Sequence, residues 1–310
     1  MKKLFFLFSA FLMMLLTSCS DERDFGNGYA WEFPINETDS LAMVKIYKAM
    51  GYDSWTDKNN IDLKKRETWD GECTLKFDKE NKEFRIVSLS ISFVSLTSFP
   101  EFQGVFVIPD EVSQMTRLKS AHFRGSEEVT ISNVAALADC PLEYLTINYG
   151  EISEKDLFEA LPKLSGTLTL LRINHSGLNG SQEWTLKLPN LENLDLSDNE
   201  YSGLDESLAW TQKLPNLEIL NLSDNKYSGK VPDIFKYCEF AVGLMNNNYN
   251  EMDWSYFTDA NVKRVPEFQG NRLHGVIPQE VFDSNNWKYF RHTIHCQQKG
   301  YGYTNWRDYY

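Results

Sequence analysis

The chain has 310 residues, with 31 basic against 44 acidic side chains and a formal charge of −13. So acidic a molecule has no electrostatic footprint for nucleic acid or anionic lipid headgroups, and both are excluded as partners. A chain of this length ordinarily makes one or two domains, a count that an internal repeat would change.

In chain order, Lys2 and Lys3 precede a run from Leu4 to Leu16 that is apolar apart from Ser9. A spanning helix needs roughly 20 residues, so residues 1–18 read as a cleaved export signal. Leu16-Thr17-Ser18-Cys19 and the acidic Ser20-Asp21-Glu22-Arg23-Asp24 follow, opening a linker over 19–37. Removing the signal takes two lysines and no acid, leaving 29 basic against 44 acidic residues, a charge of −15. Thr38 or Asp39 is placed to cap a helix in which Leu41, Val44, Ile46, Tyr47 and Met50 recur at helical spacing before Gly51. Trp55 and Trp69 come next.

From residue 86 a period takes over. Leu191-x-x-Leu194-x-Leu196-x-x-Asn199 recurs 26 residues later as Leu217-x-x-Leu220-x-Leu222-x-x-Asn225. The same spacing appears at Ile86/Leu89/Ile91, Leu118/Ala121/Phe123, Leu142/Leu145/Ile147 and Leu168/Leu171/Ile173, and it degrades to Val242/Leu244/Asn247 and Phe268/Asn271. About eight repeats result, filling 86–285. Within each, the second and third apolar positions are two apart, so in a strand they share a face and stack into one buried column. Asn199, Asn225, Asn247 and Asn271 stand where the chain leaves the strand. There an amide can pair backbone groups of neighbouring coils, as an asparagine ladder. The repeats at 86 to 168 carry Val94, Ser126, Gly150 and Ser176 instead and are expected to pack more loosely. Gly203, Gly229 and Gly275 permit turns, and Pro232 and Pro278 fit a return path without ladder donors.

Residues alternating with the leucines face outward. The central row reads Ser90, His122, Thr146, Arg172, Asp195, Asn221, Gly243 and Glu267, flanked by others such as Tyr144, Asn193, Ile219, Val265, Arg124 and Asn174. Of these, His122, Arg124, Tyr144, Arg172, Asn174, Asn193, Asp195, Ile219 and Asn221 are the candidates for contacting a ligand, Tyr and Arg being favoured anchors. As a catalytic set His122, Arg124 and Arg172 lack a nucleophile. Cys73, Cys140, Cys238 and Cys296 lie too far apart in a stack for a bridge, which needs Cα atoms within about 7 Å, and are expected to be unpaired and mostly buried. His292 and His295 lack an evident third metal ligand. No paired carboxylates, triad or phosphate loop occurs at useful spacing. An enzyme, a metal and a cofactor are therefore not expected. Tyr301, Tyr303, Trp306, Tyr309 and Tyr310 make an aromatic tail suited to packing on the last coil or to stacking on sugars.

These features carry a resemblance over nearly the whole chain. Leu16-Thr17-Ser18-Cys19 resembles the bacterial lipobox, which implies lipidation of Cys19. The acidic string after it is similar to the signal that takes lipoproteins to the outer face of the outer membrane in some Gram-negative gut and oral anaerobes. The repeats resemble leucine-rich repeats, and Gly229-Lys230-Val231-Pro232 and Gly275-Val276-Ile277-Pro278 resemble the S-G-x-x-P plant type. Residues 38–85 and 286–310 resemble the caps that close such arrays. The family, secreted leucine-rich-repeat lipoproteins, implies an α/β solenoid: a right-handed superhelix with a parallel sheet on its concave face and a cap at each end. It further implies binding of a partner protein along that face, on a host or neighbouring cell or within a surface complex. The alternative is a glycan-binding module of a surface uptake complex.

Overall fold

The computed structural model describes residues 33–51, 73–93, 104–126, 128–164, 166–203, 211, 213–232, 234, 238, 240–258 and 267–305. The expected export signal, Cys19, Trp55, Trp69, Val94, Val265, Trp306, Tyr309 and Tyr310 lie outside them.

The first element is the helix Glu37–Ala49. Its cap is Asn36, whose side chain accepts from Thr38 N and Asp39 N, in place of Thr38 or Asp39. Asp39 is turned inward and fully buried, accepting Arg85 Nε at 2.9 Å, Arg85 Nη2 at 3.1 Å and Ile86 N at 2.8 Å. That pairing sets the inner face. Ala42, Met43, Ile46, Tyr47 and Met50 share it at helical spacing, whereas Leu41, expected inside, is exposed.

Strands β1 (Cys73–Asp78), β2 (Glu83–Ser92), β3 (Val105–Val107), β4 (Ser120–Arg124), β5 (Thr130–Ser132), β6 (Tyr144–Asn148) and β7 (Glu151–Ile152) come first. After β8 (Leu170–Asn174) follow β9 (Asn193–Asp195), β10 (Ser202–Gly203), β11 (Ile219–Asn221), β12 (Lys226–Lys230) and β13 (Ala241–Gly243). The last are β14 (Asn248–Glu251), β15 (His274–Gly275) and β16 (Gly302–Tyr303). An open eight-stranded sheet takes the order β1-β2-β4-β6-β8-β9-β11-β13. All its pairings are parallel except β1 with β2. Leu89, Ala121, Leu145, Leu171, Leu194, Leu220 and Val242 stand in one register row, and all are buried. At roughly 1.5–3 kcal/mol for each buried large aliphatic side chain, this column and its neighbours hold the coils together.

On the return side, β3-β5-β7 and β10-β12-β14 form two three-stranded sheets, and β15 pairs with β16. Between sheet and return side stand the buried rings of Tyr201, Tyr227 and Tyr249. The last two lie parallel, 6.4 Å apart.

The asparagines repeat one bonding scheme. Asn225 accepts Tyr201 N at 3.0 Å and donates to Leu196 O (3.0 Å), Leu222 O (3.2 Å) and Ser223 O (3.1 Å). Asn247 and Asn271 do the same one and two coils on, accepting Tyr227 N and Tyr249 N. Asn199 accepts Ser176 N and Leu178 N and donates to Ile173 O. Each amide satisfies backbone groups that burial has cut off from water. A fifth rung escaped the sequence reading. Gln297 accepts Leu273 N at 3.3 Å and donates to Phe268 O (3.4 Å) and Ile294 O (3.0 Å), so the coil scheme continues past residue 285 to the pairing of β15 with β16.

No disulfide joins the four cysteines described. Cys140 and Cys238 are buried, and burial pushes both thiols up to about 12. Cys296 departs from the expectation of a buried thiol. It is exposed because its coil position is the solvent-facing rim, where Gly270 N donates to its carbonyl at 2.6 Å.

Candidate functional site

Strand alternation puts every second side chain of the large sheet on its outer face. Register then aligns Ser120, His122 and Arg124 of β4 with Tyr144, Thr146 and Asn148 of β6 and with Leu170, Arg172 and Asn174 of β8. Thr146, small and buried, forms the floor, with the larger side chains around it. His122, Arg124, Tyr144, Arg172 and Asn174 are thus neighbours on three strands. Asn193 and Asp195 continue the rows on β9, and Ile219 and Asn221 on β11.

Two of these candidates are corrected by the structure. Asn193 and Asp195 are each only 7% exposed. The Asp195 carboxylate accepts Arg172 Nε at 3.1 Å and Ser197 Oγ at 2.7 Å, so it is consumed inside the face. Asn193 stands in register between Leu170 and Ile219, whose larger side chains flank it. Next to Asn221, Gly243 leaves room for its amide, since a Cβ at that position would lie 2.5 Å from Asn221 Oδ1.

His122 does have a hydroxyl beside it. Ser120 Oγ lies 2.7 Å from its Nε2. Burial, then the Arg172 charge, lowers the imidazole from its ordinary value, which weakens it as a base. The nearest charged group is a cation and not an orienting carboxylate, and strand N–H groups are committed to the sheet. The pair therefore lacks the parts of a nucleophilic machine. Elsewhere, His292 Nε2 meets Arg291 Nε at 3.2 Å, and His295 Nε2 meets Cys296 Sγ at 3.0 Å. Among the described residues no group of three or more His, Cys, Asp or Glu is placed to hold a metal ion. Among the same residues no helix is long and apolar enough to cross a membrane.

A rim flanks the outer face where the strands end, and the sequence reading missed it. One residue of successive coils takes a left-handed backbone there: Tyr149 (φ 54°), His175 (52°), Asp198 (56°), Asp224 (57°), Asn246 (54°) and Gly270 (71°). Asp, Asn, His and Gly populate that conformation most readily, whereas a tyrosine pays about 1–2 kcal/mol for it. The Tyr149 and His175 rings lie 4.8 Å apart. Arg124 sits over the Tyr149 ring at 6.0 Å, and His175 Nδ1 meets Asp198 Oδ2 at 2.7 Å. The available signal was the residue immediately before each ladder asparagine, such as Asp224 before Asn225; its backbone angle is not readable from residue type.

The Leucine Rich Repeat family model matches residues 216–238. Among curated protein sequences none matches. Solved structures show the same fold. A plant ice-binding protein is similar at 21% identity and a TM-score of 0.53, over 87% of this chain and 78% of that one. The ectodomain of the Arabidopsis thaliana receptor kinase GASSHO1/SCHENGEN3, in complex with CASPARIAN STRIP INTEGRITY FACTOR 2, is similar at 19% identity and a TM-score of 0.52. The Arabidopsis HAESA ectodomain, in complex with an extended IDA peptide hormone, is similar at 15% and 0.54. The chain covers 80% and 81% of its own length in these two matches but spans only 28% and 44% of the receptors. The fold is that of a leucine-rich-repeat array with a mostly parallel sheet.

Proposed function

We propose that this chain is an exported lipoprotein, anchored through Cys19 at the outer membrane and facing the exterior, that binds a partner protein on the outer face of its large sheet. The observation carrying this reading is the grid on β4, β6 and β8. There basic, aromatic, amide and aliphatic side chains converge around Thr146 on strands whose registers are set by a continuous buried column. Rigid elements presenting mixed side chains suit recognition, because little ordering remains to be done on binding. The two receptor ectodomains hold a peptide or protein factor on the same fold, which supports the same use here. In this reading the sheet is the concave side of a right-handed superhelix, with 38–85 and 286–310 closing its ends against exposure of the leucine column.

The test uses the full chain carrying Cys19→Ser, released from cells and immobilised, to capture partners from host and bacterial extracts. Leu170→Arg within the grid should weaken a captured partner at least tenfold. Val107→Arg on the return side should leave it unchanged. Equal binding by Leu170→Arg and the parent would remove the sheet face as the site. Retention of the Cys19→Ser chain in the membrane fraction would remove the anchor.

A further inference from the structure

We infer that the partner's contact is centred on the rim at Arg124, Tyr149 and His175, and that the segment docking there is acidic. This rests on the outer-face reading and names its chemistry. Three observations carry it.

The first is backbone conformation. In the other coils the left-handed rim position holds Asp198, Asp224, Asn246 or Gly270, residues that adopt it readily. Tyr149 does not, and nothing in the coil needs a ring there: it is 45% exposed and fills no interior space. A strained residue kept where an easier one would serve points to use.

The second is the exposed aromatic itself, held between Arg124 at 6.0 Å and the His175 ring at 4.8 Å, with His175 fixed in turn by Asp198. Three groups are thereby pre-positioned, and Tyr and Arg are the residue types that dominate contact energies.

The third is charge. In a chain of −13, Arg85, Lys119, Arg172 and Lys230 are each met by a carboxylate, from Asp39, Glu143, Asp195 and Asp253. Arg124 is exposed and has no carboxylate in ion-pair distance among the described residues. An acidic segment laid along the rim would complete it and would find the hydrophobic and hydrogen-bonding surface of Tyr149 beside it.

The test measures melting and binding on the full Cys19→Ser chain, with a glutamate-rich dodecapeptide and its all-glutamine counterpart as probes. The parent should prefer the glutamate peptide at least tenfold. Arg124→Gln should lose that preference with its melting midpoint unchanged. Tyr149→Asn should bind tenfold more weakly yet melt about 2–4 °C higher, because the backbone strain is relieved. A purely structural tyrosine would give the opposite melting shift, and that result overturns the inference. So does a parent without preference for the glutamate peptide, or undiminished binding by both variants. If the inference fails while Leu170→Arg still abolishes capture of a protein partner, the sheet-face reading stands alone. If Leu170→Arg also has no effect, both fall.

Discussion

The two halves of the array are stitched together by different means. From Asn199 onward, each coil hands its neighbour a side-chain amide, buried at Asn225, Asn247 and Asn271 and half-buried at Gln297. The earlier coils have no such group: Gly150 carries no side chain there, and Ser126 Oγ is buried without a hydrogen-bond partner. They are joined on the return side, where Val105 pairs with Thr130 and Thr130 with Glu151. Asn133 adds hydrogen bonds to Ile108 O at 2.7 Å and Asp110 Oδ1 at 2.8 Å. The later coils pair in the same way through β10-β12-β14, so the amide ladder is what the early half lacks. The contrast extends to the outer face. The early strands present His122, Arg124, Tyr144 and Arg172, whereas the outward rows of the last ones carry Ala241 and Gly243. The side chains of the proposed site thus lie where the amide ladder is absent.

Several substitutions would break or sharpen that contrast. The largest effect is expected at Asp39. Asp39→Ala strands Arg85 in a nearly enclosed site and should cost about 3–5 kcal/mol in urea unfolding, loosening the early half first. Asn225→Ala leaves Tyr201 N and three carbonyls to find other partners and should cost about 1–3 kcal/mol. An unchanged unfolding midpoint would show that the ladder does not hold the later half. His122 comes next. Its folded imidazole resists protonation below the ordinary 6.5, so the unfolded chain takes the proton first and stability falls as pH drops through 6.5. His122→Gln should flatten that decline between pH 7.5 and 5.5, and parallel curves would argue against a buried neutral ring. The smallest effect belongs to Ser126→Ala. Removing an unsatisfied hydroxyl should change stability by less than about 0.5 kcal/mol, or raise it. A large loss would mean that the early coils hold a polar bond of their own.

Much of the main sheet was legible in the residue string, because L-x-x-L-x-L states both the strand and its inner face; Leu194 and Leu220 pair as their spacing requires. The asparagine positions were legible for the same reason. What was not legible depended on neighbours distant in sequence or on backbone angles. Asp39 looked like a helix cap until Arg85, 46 residues away, took its carboxylate. Asp195 looked exposed by alternation, but the size of Arg172 across the strand covers it. Gln297 was hidden because a helix, Trp287–Ile294, stands where earlier coils have a strand. The strain at Tyr149 has no counterpart in residue pattern at all.

The ladder also makes the molecule a ruler. Each asparagine touches only the coils beside it, so a whole turn is an interchangeable unit. Excising 200–225 would bring Asn199 into phase with Asn247 and draw Arg124 and Glu267 closer by about 4.8 Å, the spacing of one strand. Duplicating the same stretch would separate them by as much. Distance between the basic and acidic ends of the face is therefore adjustable in fixed steps without redesigning either, and scattering from such length variants would read each step.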